Sequence, residues 1–132
     1  MNVFADTSAL YALLDKRGME NQRASKLWKT LHQSDSVVVS SNYVVVETIT
    51  LLQRRLGFEA AKEFQESFVP LLTVYFVNQE LHQKGMEIFL QEARRNLSLV
   101  DCISFELMKQ LGLRKAFAFD KHFVEQGFEL LD

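Results

Sequence analysis

Disulfides, extended proline or glycine linkers, and membrane spans are all missing from this chain. It has one cysteine, Cys102, so no internal disulfide can form. That suits a reducing compartment, and the sequence reads as cytoplasmic. Proline occurs once, at Pro70, and glycine only five times in 132 residues, which leaves few helix breakers. No apolar run approaches the roughly 20 residues that cross a bilayer, so no membrane partner is expected. Residues 1–14 carry no basic leader segment and hold Asp6 inside the apolar stretch, unlike a signal peptide. Neither sign of charge dominates: the formal net charge is −2, which excludes a strongly basic nucleic-acid coat. The basic pairs Lys16-Arg17, Arg54-Arg55, Arg94-Arg95 and Arg114-Lys115 read mainly as solvated helix ends.

What is present is an ordinary globular composition, 48% apolar and 24% charged, of a length that fits one domain over residues 1–132. Hydrophobic periodicity predicts a strand over 2–5, a helix from Asp6 to about Asp15, and a second helix from about Glu20 to Ser34. In that second helix Ala24, Leu27, Trp28 and Leu31 share one face. The β-branched run Val37–Val39 predicts a strand. Ser40-Ser41-Asn42 offers caps for a helix running to Leu56, and Gly57 stops it. Further helices are expected over 58–68, over 79–95 and from Ser98 to near Gly112. Strands are expected over 71–77, 115–119 and 128–131, with a short helical turn opened by Asp120. Strands and helices alternate. The pattern predicts an α/β protein, a three-layer α/β/α sandwich around a largely parallel sheet.

Four acids stand out on that frame. Asp6 and Asp120 end apolar strand-like runs, so parallel strands put both at the carboxyl edge of the sheet, where such folds bind ligands. The helix beginning near Ser41 starts at that edge and carries Glu47. The helix beginning at Ser98 precedes a parallel strand, so it also starts there, with Asp101 in its first turn. Singly, Asp6 and Asp120 read as ordinary N-caps, Asp101 as part of a capping box, and Glu47 as a helix-surface acid. Together they make one site. Carboxylates packed close repel, and burying them without a cation is costly. All-oxygen ligands favour Mg²⁺ or Mn²⁺ over zinc.

These residues also carry a resemblance. Asp6-Thr7-Ser8-Ala9-Leu10, then Val46-Glu47, then Leu97-Ser98-Leu99-Val100-Asp101, then Phe119-Asp120-Lys121-His122-Phe123 resemble, in order, the PIN domain and most of all its VapBC-type toxin nucleases. The resemblance spans essentially the whole chain. It implies a Mg²⁺- or Mn²⁺-dependent endoribonuclease whose metal and catalytic residues match Asp6, Glu47, Asp101 and Asp120. Asp6 and Asp101 are expected as the main ligands, with an activated water hydrolysing a phosphodiester. It further implies an RNA substrate, a cognate antitoxin protein and a homodimer. Ser8 is expected to hold a phosphate oxygen or a water. Arg54, seven residues after Glu47 and so on nearly the same helix face, could meet a substrate phosphate. Ala118 departs from the pattern, for many relatives carry Thr or Ser there.

Other expectations are plainer. His122 reads as a surface histidine in a turn; His32 and His82 have no partner pattern; Cys102 and Trp28 read as core. Two enzyme settings stay open, a toxin or a PIN nuclease of RNA processing or DNA repair. From another class, a receiver-like or inactive PIN-like binding module stays open. A receiver wants an acid at the end of its third strand, where this chain has Asn78-Gln79.

Overall fold

The computed structural model describes residues 1–132. Its elements are β1 (Asn2–Ala5), α1 (Thr7–Leu14), α2 (Asn21–Gln33), β2 (Val37–Ser41), α3 (Asn42–Arg55), α4 (Phe58–Glu63), β3 (Thr73–Tyr75), α5 (Gln79–Glu92), α6 (Leu99–Leu111), β4 (Lys115–Phe117), α7 (His122–Glu125) and β5 (Glu129–Leu130). The five strands form one sheet in the order β3-β2-β1-β4-β5, and every pairing is parallel. From β1 the chain steps outward through β2 to β3, then crosses back to β4 on the other side of β1. Strand order therefore reverses between β1 and β4, the place where open parallel sheets leave a crevice at their carboxyl ends.

Right-handed crossovers put α1 to α4 on one face and α5 to α7 on the other. Side-chain alternation agrees. Phe4 packs with Phe123 of α7, at 6.5 Å between ring centroids. Phe117, one step out of phase across the β1–β4 ladder, meets Trp28 of α2 at 6.0 Å. Phe105 of α6 packs edge-on to Phe123 at 5.0 Å. The strands are short and apolar because both faces are covered; Val3, Phe4 and Ala5 are completely buried. On the α5–α6 side, a side chain at Gly85 would collide with Ile103, so the glycine is what lets the two helices approach so closely.

Several boundaries differ from the sequence expectation. The helix expected over 58–68 is regular only to Glu63. A π-turn follows over Phe64–Phe68 and a 3₁₀ turn over Val69–Leu71, where Pro70 cannot continue an α-helix. The strand expected over 71–77 shrinks to Thr73–Tyr75: the 3₁₀ turn takes its start, and at its end the Val77 amide donates to Asn42 Oδ1 at 2.7 Å. The strand expected over 115–119 stops at Phe117. Helix α5 ends at Glu92, with Ala93 in the left-handed region, and so leaves Arg94-Arg95 outside it. Strand β2 runs longer than expected and takes in Ser40 and Ser41, both fully buried. Helix α6 is capped and stopped as expected, by Ser98 and Gly112.

Candidate active site

Asp6 follows β1 directly and is the N-cap of α1. Its carboxylate accepts from the Ser8 amide at 3.2 Å and from the Ser8 hydroxyl at 2.8 Å. The same Ser8 oxygen accepts from the Phe119 amide at 2.9 Å. Thus the hydroxyl ties the start of α1 to the segment after β4, and it takes the amide that would have extended β4. Asp6 is 3% exposed. Burial pushes its carboxyl up from the usual range to about 7, against the Ser8 hydrogen bonds, which hold it down; the charges of Asp101 and Glu47 add to the rise.

Asp101 sits in the first turn of α6, where it makes the capping box that the sequence suggests. Its carboxylate accepts from the Ser98 amide at 3.0 Å, and the Ser98 hydroxyl accepts from the Asp101 amide at 3.0 Å. Burial raises its pKa most, with the Asp120 charge adding to the rise and the Ser98 amide opposing it. Glu47, half-buried on α3, is raised by burial and by the charges of Asp101 and Asp120, while the adjacent Thr7 hydroxyl lowers it. Asp120 follows β4 and accepts from the His122 amide at 2.9 Å, which folds the chain into α7. The charges of the four acids thus act on one another in a chain at the β1–β4 carboxyl edge, Asp6 through Asp101 and Glu47, and these two through Asp120.

His122 corrects the sequence expectation. It is not a surface residue: its side chain is 12% exposed, with Nδ1 lying 2.9 Å from Asp120 Oδ1 and 3.9 Å from Asp101 Oδ2. The short approach does not have hydrogen-bond geometry, and Nδ1 is buried with no hydrogen-bond partner. Asp101, Asp120 and His122 can offer three ligand atoms within 4.8 Å of one another. The signal was present in the spacing, because an Asp that caps the amide two residues ahead folds that residue back over its own carboxylate. A buried ring nitrogen without a partner, beside two carboxylates of which burial makes Asp101 resist ionisation, is a donor set that a divalent cation satisfies.

Ser8 does not point its hydroxyl proton at an outside ligand, since that proton goes to Asp6. Arg54 is exposed in the last turn of α3, roughly 10 Å along the helix from Glu47 by helical rise. The sequence reading missed Tyr43, which shares the first turn of α3. Its hydroxyl lies 2.7 Å from His82 Nδ1, a partner for a histidine that the sequence left without one. Cys102 is fully buried in the core as expected, whereas Trp28 is only partly buried and packs against the core from α2.

Residues 3–129 match the model of the PIN domain family. The chain is 35% identical over 129 residues to the 23S rRNA-specific endonuclease VapC20 of Mycobacterium tuberculosis, covering 96% of this chain and 95% of that protein. The crystal structure of the same VapC20, described as a sarcin-ricin loop cleaving toxin, superposes with a TM-score of 0.86, 33% identity, and 96% and 95% coverage. FitAcB from Neisseria gonorrhoeae shares the fold at 15% identity, with a TM-score of 0.69 and coverage of 100% and 97%. PAE2754 from Pyrobaculum aerophilum shares it at 19% identity, with a TM-score of 0.64 and coverage of 98% and 92%.

Proposed function

Since the chain belongs to the PIN domain family and resembles its VapC-type toxins, we propose that it is a divalent-metal-dependent endoribonuclease, the toxin of a VapBC-type pair. The observation that carries the reading is the meeting of Asp6, Glu47, Asp101 and Asp120 from four separate segments, with three of their carboxyls pushed toward the neutral form. Asp6, Asp101 and Asp120 would hold Mg²⁺ or Mn²⁺, with His122 beside them. When bound, the ion lowers the pKa of water and neutralises charge on the reacting phosphate.

The protein's own groups do the rest. Ser8 and Ser98 fix the Asp6 and Asp101 carboxylates in place before substrate arrives. Glu47 has the role of base. It is reachable from solvent, and burial and its acidic neighbours raise its affinity for a proton, which tunes it toward neutral pH. It takes the proton of the attacking water at its carboxylate. In-line attack breaks the P–O3′ bond and leaves a 5′-phosphate, and the departing oxygen takes a proton from solvent to become a 3′-hydroxyl. Arg54 meets a phosphate further along the strand.

The similar VapC20 is specific for 23S rRNA, which supports ribosomal RNA as the substrate class. The whole chain works as one nuclease unit, in the cytoplasm, where that substrate is; no helix is long and apolar enough to cross a membrane. An antitoxin covers the acidic groove, and two copies pair. Exposed Phe58 and Leu90, at 65% and 67%, support apolar protein contacts of this kind.

Asp101→Asn tests the reading. An Asn oxygen can still accept from the Ser98 amide, so the fold should hold. RNA cleavage should fall at least a hundredfold, mapped by 5′ ends in purified ribosomes with Mg²⁺ or Mn²⁺. Wild-type cleavage by this variant would sink the model.

A further inference from the structure

Beside the acids, the first turns of α3 and α6 frame an apolar pocket of about 350 Å³, lined by Asn42, Tyr43, Val46, Glu47 and Val100. We infer that this pocket receives one nucleobase of the substrate strand, next to the phosphate that the acids engage. The inference rests on the nuclease reading and names the part of the substrate that this site recognises.

Glu47 lines the pocket and also belongs to the acid cluster, so whatever fills the pocket lies against the reacting centre. Val46 is 62% exposed there, an apolar side chain left open at the rim of a charged site. The Tyr43 ring is held in place by His82 of α5. Its hydroxyl is bonded to His82 Nδ1 at 2.7 Å, and the two rings stand edge-on at 5.8 Å. A fixed aromatic face of this kind stacks on any base, and it loses little conformational freedom in doing so. Asn42 supplies a polar handle. Its Oδ1 is occupied by the Val77 amide, which fixes the orientation of the side chain and leaves Nδ2 as a donor for an acceptor on a base edge. An apolar peptide side chain could cover Val46, but it would leave that donor unpaired. A nucleobase satisfies the flat wall, the apolar floor and the amide together.

The first test is binding, which does not depend on cleavage. Methyl resonances of Val46 and Val100 are followed by NMR in Mg²⁺ during titration with each of the four ribonucleoside 5′-monophosphates and with ribose 5-phosphate. At least one nucleotide should shift both residues saturably at millimolar concentration, and the base-free sugar phosphate should not. Val46→Phe, a change at an exposed position that fills the pocket, should weaken that nucleotide about tenfold, the scale of one base–aromatic stack. It should leave the thermal shift produced by Mn²⁺ unchanged. In cleavage, an abasic residue at one position flanking the cut should raise KM about tenfold for the wild type and add nothing in Val46→Phe. Equal shifts from ribose 5-phosphate, no shift from any nucleotide, or an undiminished abasic penalty in the variant overturns the pocket. Nucleotide binding without any RNA cleavage instead removes the nuclease reading and leaves the pocket standing.

Discussion

Ser8 shows how much one hydroxyl can organise. It donates to Asp6 and accepts from Phe119, so Ser8→Ala leaves a part-buried amide without its acceptor and removes a bond that favours ionised Asp6. Stability should fall by about 1–3 kcal/mol in thermal or urea melts. The Asp6 carboxyl should also rise further above about 7, which moves the acid limb of the pH–rate profile to higher pH. Glu47→Gln keeps the shape and removes the proton acceptor. It should lower kcat by roughly 10²–10⁴ with little change in KM, and an unchanged kcat would take Glu47 out of the base role. Asp6 and Asp120 were legible in the sequence because an acid after an apolar run has one place to go in a parallel sheet. His122 was legible only in part: the Asp120–His122 spacing permits the turn, and the Asp120 cap of the His122 amide is what fixes the ring beside the acids.

At the scale of elements, the regular pieces were read well and their ends poorly. Helix α6 carried its own start and stop, Ser98 and Gly112. Strand β4 did not, because the amide that ends it is claimed by a serine 111 residues away. The helix expected over 58–68 had the right periodicity, but the π-turn at Phe64–Phe68 inserts an extra residue per turn, and hydrophobic spacing does not show this. Helix packing offers a sharper test. Gly85→Ala would drive a Cβ into Ile103 on α6, two residues from Asp101. It should destabilise by about 1–3 kcal/mol in denaturant melts and reduce cleavage by shifting Asp101. Alanine ordinarily strengthens a helix, so a gain in stability would contradict the close approach.

For the whole molecule, the site sets a tension between stability and charge. The Asp6 carboxyl titrates near 7 when folded and in the ordinary aspartate range when unfolded, so between those values the folded state binds the extra proton. Stability of the metal-free protein therefore falls as pH rises through that window and levels off above it; Asp101 and Glu47 act in the same direction. Melting temperature in chelator should drop from pH 5 to pH 8, and Asp6→Asn should flatten much of that slope. Millimolar Mn²⁺ or Mg²⁺ should recover the loss at pH 8 and do little at pH 5, because the ion binds only the folded, ionised site. A chelated protein as stable at pH 8 as at pH 5 would argue against the strained cluster.

The strand order β3-β2-β1-β4-β5 also bears on timing. Asp6 is among the first residues made, yet its neighbouring strand β4 and its indirect partner Phe119 come after residue 114. Until they emerge from the ribosome, the central strand has one bare edge and the last acid, Asp120, is absent. A half-made copy therefore has no complete cutting centre. A nuclease built on this strand order cannot cut RNA until nearly the whole message has been read.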